Sequence, residues 1–182
     1  MEFVFDGLVT LVGISVVAAY IWSVRNHFVS DAMPSGARII AAAVTTSLVV
    51  MLALTWLISQ PLPAQVLGLA IQLFSVWIFY AAIQASRKAR LRFIFDPEHP
   101  HSLVKDGPYR LVRHPFYVSY SIFWFGWAVA TWSIWAIPCV IILIWLYVSA
   151  AQFEERNFEA SPLSSDYLDY KARTGFFLPK LG

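Results

Sequence analysis

Three long uncharged, strongly apolar stretches run through this chain: Gly7 to Val24, Ile39 to Ser86, and Pro115 to Phe153. A helix rising ~1.5 Å per residue needs about 20 residues to cross ~30 Å of hydrocarbon, so the first stretch fits one crossing and the others are too long for one. The second divides at the turn signal Gln60-Pro61-Leu62-Pro63, where proline ends one helix and starts the next. The third divides around Thr131, Trp132 and Ser133, leaving two crossings joined by a very short turn. The pattern predicts an all-α integral membrane protein with five transmembrane helices, at about 7–24, 38–59, 64–86, 115–132 and 134–153. The last two form a tight hairpin.

Composition agrees with a lipid environment. Hydrophobic residues make up 59% of the 182 and charged residues only 13%, against roughly 25% charged in soluble domains. A net charge of +2 excludes an extended polybasic nucleic-acid surface, and the single Cys139 excludes a disulfide framework or a multi-thiolate zinc site. The acidic start, Met1-Glu2-Phe3-Val4-Phe5-Asp6, is unlike the basic start of a secretory signal, so the first helix reads as a retained anchor. All thirteen Lys and Arg fall in the 25–38 loop, in 87–113, or after position 155. The positive-inside rule then puts the N-terminus outside and the C-terminus in the cytoplasm. Small size without a retention signal favours a bacterial inner membrane over endoplasmic reticulum. The chain reads as one membrane domain, with 1–86 a three-helix scaffold and 87–182 the chemical half.

A tight hairpin returns the start of the fourth helix and the end of the fifth to the same membrane face, so His114 should approach Glu154. The fourth helix starts after Asp106-Gly107-Pro108-Tyr109-Arg110-Leu111-Val112-Arg113-His114. Its free N–H groups, with Arg110 and Arg113, read as an anion site. Glu154 and Glu155 lie where the carbonyl end of the fifth helix already concentrates negative charge, which calls for a compensating cation. Ion pairing with arginine is the plain reading. The sharper one is that these carboxylates, beside the rings of Tyr109 and Tyr117, hold a cationic, hydroxyl-bearing ligand such as a sulfonium. Asp96, Glu98, His99 and His101 form a loop group without a second cluster and read as solvated, with no metal site. Ser133, Ser149 and Ser161 lack a neighbouring His and acid, which argues against a serine hydrolase. Gly68 with Ala64 is a small-residue pair common in membrane helices. The Arg87-Lys88-Ala89-Arg90-Leu91-Arg92 run reads as headgroup-facing.

The C-terminal half resembles the isoprenylcysteine carboxyl methyltransferase family, related to the membrane phospholipid methyltransferases. Leu103-Val104-Lys105-Asp106-Gly107-Pro108-Tyr109-Arg110 followed by Arg113-His114-Pro115-Phe116-Tyr117 resembles its L-x-x-x-G-P-Y-R…R-H-P-x-Y signature. Glu154-Glu155 resembles its di-glutamate, and Tyr167-Leu168-Asp169-Tyr170-Lys171 through Pro179 its closing segment. The resemblance implies a membrane methyltransferase that uses S-adenosylmethionine in a cytoplasm-facing pocket. It places Tyr109, His114, Pro115, Tyr117, Glu154 and Glu155 against the cofactor, with Leu178 and Pro179 closing over it. It also implies a lipophilic or prenylated acceptor arriving from the bilayer, with no nucleic-acid partner. The chain differs from the family pattern at Ser119, at Leu163-Ser164 and at Phe176.

An ionised prenylcysteine-type carboxylate needs an orienting cation and no base, a role expected of Arg113 or Arg173. A phospholipid amine must first lose a proton, and His114 or a glutamate would take it. Carboxylate methylation is the first expectation, phospholipid N-methylation the second, and a non-catalytic membrane subunit the third.

Overall fold

A computed structural model describes residues 2–27, 35–87 and 103–180; the Asp96, Glu98, His99 and His101 group and most of the 87–92 basic run lie outside them. Six α-helices follow in order: α1 (Glu2–His27), α2 (Ser35–Leu57), α3 (Leu62–Ser86), α4 (Pro115–Thr131), α5 (Ile137–Glu159) and α6 (Ser164–Arg173). Among the described residues, four segments are long and apolar enough to cross a membrane: Phe3–Ser23, Gly36–Leu57, Leu62–Ser86 and Ile134–Glu159. The chain is a multi-pass integral membrane protein. The fourth predicted crossing differs from these. At 17 residues, α4 rises about 26 Å, short of a full hydrocarbon core.

Local chemistry sets the boundaries where the turn signals stand. Prolines occupy the first positions of α3, α4 and α5, where a missing N–H costs nothing. Between α4 and α5 the chain reverses through Trp132, whose φ of 47° is left-handed. That conformation costs a non-glycine residue about 1 kcal/mol, and it makes the turn short. Ser133 then accepts from the Trp135 amide at 3.4 Å and caps a single 3-10 turn at Ile134–Ala136. The hairpin expected from the sequence is present. Its second arm runs to Glu159, one and a half turns past the predicted end at 153, so Glu154 and Glu155 stand within α5. The amphipathic α6, absent from the five-helix expectation, follows after Ser161-Pro162.

Packing is inverted relative to a soluble bundle. On α3 the buried face carries Ala64, Gln65, Gly68, Gln72 and Ser75, while Leu67, Leu73, Phe74 and Trp77 are exposed. Lipid tails are as apolar as leucine, so an aliphatic side chain gains little by leaving them, and small and polar residues take the helix contacts. The contact of α3 with α4 is the most extensive between elements. A Cβ on Gly68 would stand 2.5 Å from the Gly126 carbonyl oxygen and the Ala130 nitrogen, and one on Gly126 3.0 Å from the Gly68 oxygen. The two backbones therefore touch. Nearer the site, Ser119 of α4 is fully buried, donates to the Ser75 carbonyl at 3.0 Å and lies 3.0 Å from the Tyr20 hydroxyl. The serine that departs from the family pattern thus ties α4 to both α3 and α1.

Candidate active site

The foot of α4 is built by a left-handed Gly107 (φ 56°) and a 3-10 turn over Gly107–Arg110, which delivers Arg113 and His114 to the mouth of the hairpin. Glu154 and Glu155 arrive from α5. The two walls meet. His114, buried, has Nδ1 3.4 Å from Glu154 Oε2 and Nε2 3.2 Å from Glu155 Oε1. Only the doubly protonated ring donates to both. Burial, the largest single influence, pushes the histidine down, but the two glutamates together overcome it and hold it above its ordinary 6.5. The two carboxylates therefore favour the charged form of the ring.

Glu155 gathers the cations. Arg113 Nε donates to its Oε1 at 2.7 Å, and Lys171 Nζ, reaching over from α6, lies 2.7 Å from its Oε2. Lys171 also pairs with Glu159 at 2.7 Å, one helical turn further along α5. Hydrogen bonds to these two carboxylates raise its pKa above the ordinary lysine value. The other arm of Arg113 donates to the Thr174 carbonyl and, at 3.4 Å, to that of Lys171, closing the end of α6. Arg113 is thus held by Glu155 rather than offered to an anion at the start of α4.

The tail after α6 folds back over this cluster. Val112 and Gly175 form an isolated parallel bridge, with Arg113 N donating to Gly175 O at 2.8 Å and Gly175 N to Leu111 O at 3.0 Å. A Cβ on Gly175 would fall 1.6 Å from the Leu178 carbonyl oxygen, so the bend admits only glycine. Phe176 meets the His114 ring edge-on at 5.1 Å, and Phe177 stacks on Tyr117 at 6.3 Å. Tyr117 stacks in turn on Tyr147 at 5.8 Å. The Arg113 guanidinium covers Phe176 from 5.7 Å.

Of the residues singled out in the sequence, Tyr109, Arg113, His114, Pro115, Tyr117, Glu154 and Glu155 come together. Tyr109 and Pro115 are buried, and the Tyr109 carbonyl accepts from the Tyr170 hydroxyl at 2.7 Å. Burial, then the Glu154 charge, keeps the Tyr109 phenol protonated far above its usual range. Leu178 is 80% exposed and Pro179 is exposed, while Phe176 and Phe177 pack against the His114 ring. Arg173 is exposed at the end of α6. Lys171 was not expected as a site residue. Its only signal was a basic side chain in a closing segment that otherwise carries tyrosines. Tyr167 was missed as a neighbour of Glu155: it is buried, feels that charge, and its hydroxyl makes no hydrogen bond of ordinary length.

This arrangement offers a partly open carboxylate, aromatic faces and a buried ring of fixed charges at one end of the bundle. No curated protein and no solved structure matches the chain. The profile of the phospholipid methyltransferase family matches residues 63–161, from the start of α3 to just past α5, and takes in every residue of the two walls. That match covers more than half of the 182 residues, and the chain belongs to the phospholipid methyltransferase family, making it a membrane methyltransferase.

Proposed function

We propose that the protein transfers a methyl group from S-adenosylmethionine to the carboxylate of an isoprenylcysteine or similar lipophilic acceptor at the cytoplasmic membrane interface. Methyltransferases of this family generally use that cofactor, which supplies an electrophilic methyl on a sulfonium; transfer moves the methyl carbon from sulfur to the acceptor oxygen, the sulfur keeps the bonding pair, and no proton is released. The donor set suits such a ligand. Glu154 is the more open carboxylate, with 27% of its side chain exposed against 9% for Glu155, and would meet a cationic group. Tyr117 and Phe177 line this end with aromatic rings, the class of surface that attracts a sulfonium. Tyr109, His114 and Pro115 would wall the same pocket, with α4 as the fourth of five crossings and both walls on the cytoplasmic side. Arg173, exposed and not drawn into the Glu155 cluster, would orient the acceptor carboxylate. Catalysis is then mainly alignment of two reacting atoms with water excluded.

The observation that carries the carboxylate reading is His114 between two glutamates. A ring that two carboxylates favour in its charged form is a poor general base, and a carboxylate acceptor needs none. A phospholipid amine is the second reading. The commitment of Arg113 and Lys171 to Glu155, which leaves a cluster better suited to cations than to anions, supports it; Glu154 would then take the proton.

Radiolabelled methyl transfer, run against prenylcysteines, phosphatidylethanolamine and lipophilic thiols, tests both. A carboxylate acceptor should give base-labile methyl ester at a rate nearly flat from about pH 6 to 8.5, because no acceptor or base titrates there. Label in phosphatidylethanolamine, at a rate rising with one ionisation, would replace the first reading by the second. Incorporation into none of the acceptors, with cofactor bound, would remove both.

A further inference from the structure

The two adjacent glutamates are not equivalent. Both oxygens of Glu155 are engaged: Oε1 by Arg113 and His114, Oε2 by Lys171. These donors converge from α6 and from the foot of α4, and they shut Glu155 off from any ligand. Glu154 instead meets the other ring nitrogen of His114 at a looser 3.4 Å and remains the more open of the pair. The residue that completes this asymmetry is Lys171. It grips Glu155 and Glu159, four residues apart on one face of α5, and so sets the angle at which α6 and the tail cross the site. It also lies beyond the family match, which ends at residue 161.

Resting on the methyltransferase reading above, we propose that Lys171 is a positioning residue: by anchoring Glu155 it fixes His114 and the tail, and leaves Glu154 as the carboxylate that meets the cationic part of the cofactor. The chain of cause is electrostatic. Lys171 and His114 compete for the charge of Glu155. Without the lysine, the imidazolium would be the nearer counter-ion beside Arg113, and the ring would turn from Glu154 toward Glu155. Glu154 would lose the contact that orients it, and the tail would lose its anchor on α5.

The full chain in lipid nanodiscs tests this with two readouts: titration of the labelled His114 ring by NMR, and binding of tritiated S-adenosylmethionine. In Lys171→Met the His114 midpoint should move upward and affinity fall about tenfold, the scale of one charged contact; Lys171→Arg should restore both. A lysine serving only as a fold brace would not move the histidine. Glu154→Gln, which leaves the contacts of Arg113, His114 and Lys171 to Glu155 in place, should weaken cofactor binding by about tenfold or more while the protein stays folded. An unmoved His114 midpoint in Lys171→Met overturns the positioning role, and Glu154→Gln binding like the wild type overturns the assignment of Glu154. Should Lys171→Met fail to fold, Lys171→Gln and the Glu154→Gln arm still decide. A wild type whose His114 titrates normally yet binds no S-adenosylmethionine would instead sink the methyltransferase reading, while the His114 response to Lys171→Met would still judge the lysine.

Discussion

His114 is the residue on which the site's electrostatics turn. Burial alone would make it an ordinary neutral core histidine; two carboxylates on opposite ring nitrogens reverse that, and the folded pKa lies above 6.5. The sign of the linkage follows. Stabilisation from His114 is complete below its unfolded value of about 6.5 and disappears as pH rises through the folded value. Thermal unfolding followed between pH 5.5 and 8.5 should show the melting temperature of the wild type falling relative to that of His114→Gln as pH rises. A parallel course of the two curves would mean the folded ring titrates like the unfolded one, and a relative rise of the wild type with pH would mean the ring is neutral throughout. Residue identity was largely legible here: the arginine, histidine, proline and paired glutamates stood out as types that need partners. Which partner each takes was not. Arg113 and Glu155, 42 positions apart, are joined by the hairpin and by α6, and no local pattern states that pairing.

Among the elements, α3 and α4 are joined by backbone contact. At Gly68 the nearest atoms to an added Cβ are main-chain atoms of Gly126 and Ala130 at 2.5 Å, which cannot rotate away. Gly68→Ala should therefore separate the helices and destabilise the protein by about 1–3 kcal/mol, the usual cost of overpacking. Gly7→Ala, with open space around it, is the control expected to change little, and melting of both variants in the same detergent is the check. The sequence offered Gly68 with Ala64 only as a common small-residue pair, because small spacing marks a helix contact without naming the facing helix. The amphipathic α6 escaped the sequence reading for a different reason. It is a ten-residue helix too polar for a search tuned to apolar length, and its position comes from Lys171 and Arg113 together with the buried rings of Tyr167 and Tyr170.

For the whole molecule, the open question is how the chain sits in its membrane. The arginine and lysine asymmetry predicts both site walls on the cytoplasmic side, with five crossings. Single-cysteine labelling by a membrane-impermeant thiol reagent, in a Cys139→Ser background, should find Ser133 outside and Ser161 inside. Labelling of both positions from one side would mean that α5, which lies between them, does not cross, and would overturn the five-crossing arrangement.

The sequence by itself determined where the chain turns, how many apolar segments it has, and which residues gather at the mouth of the last hairpin. Hydrocarbon thickness and turn chemistry are short-range constraints, and they are written in consecutive residues. Only the tertiary structure decided that Glu155 is closed and Glu154 open, that Phe176 and Phe177 pack against His114, and that a lysine from α6 completes the cluster. Those outcomes depend on charges and rings brought together from distant positions. In lipid, moreover, apolarity no longer separates inside from outside, so the pattern that reveals a helix does not reveal the face it buries.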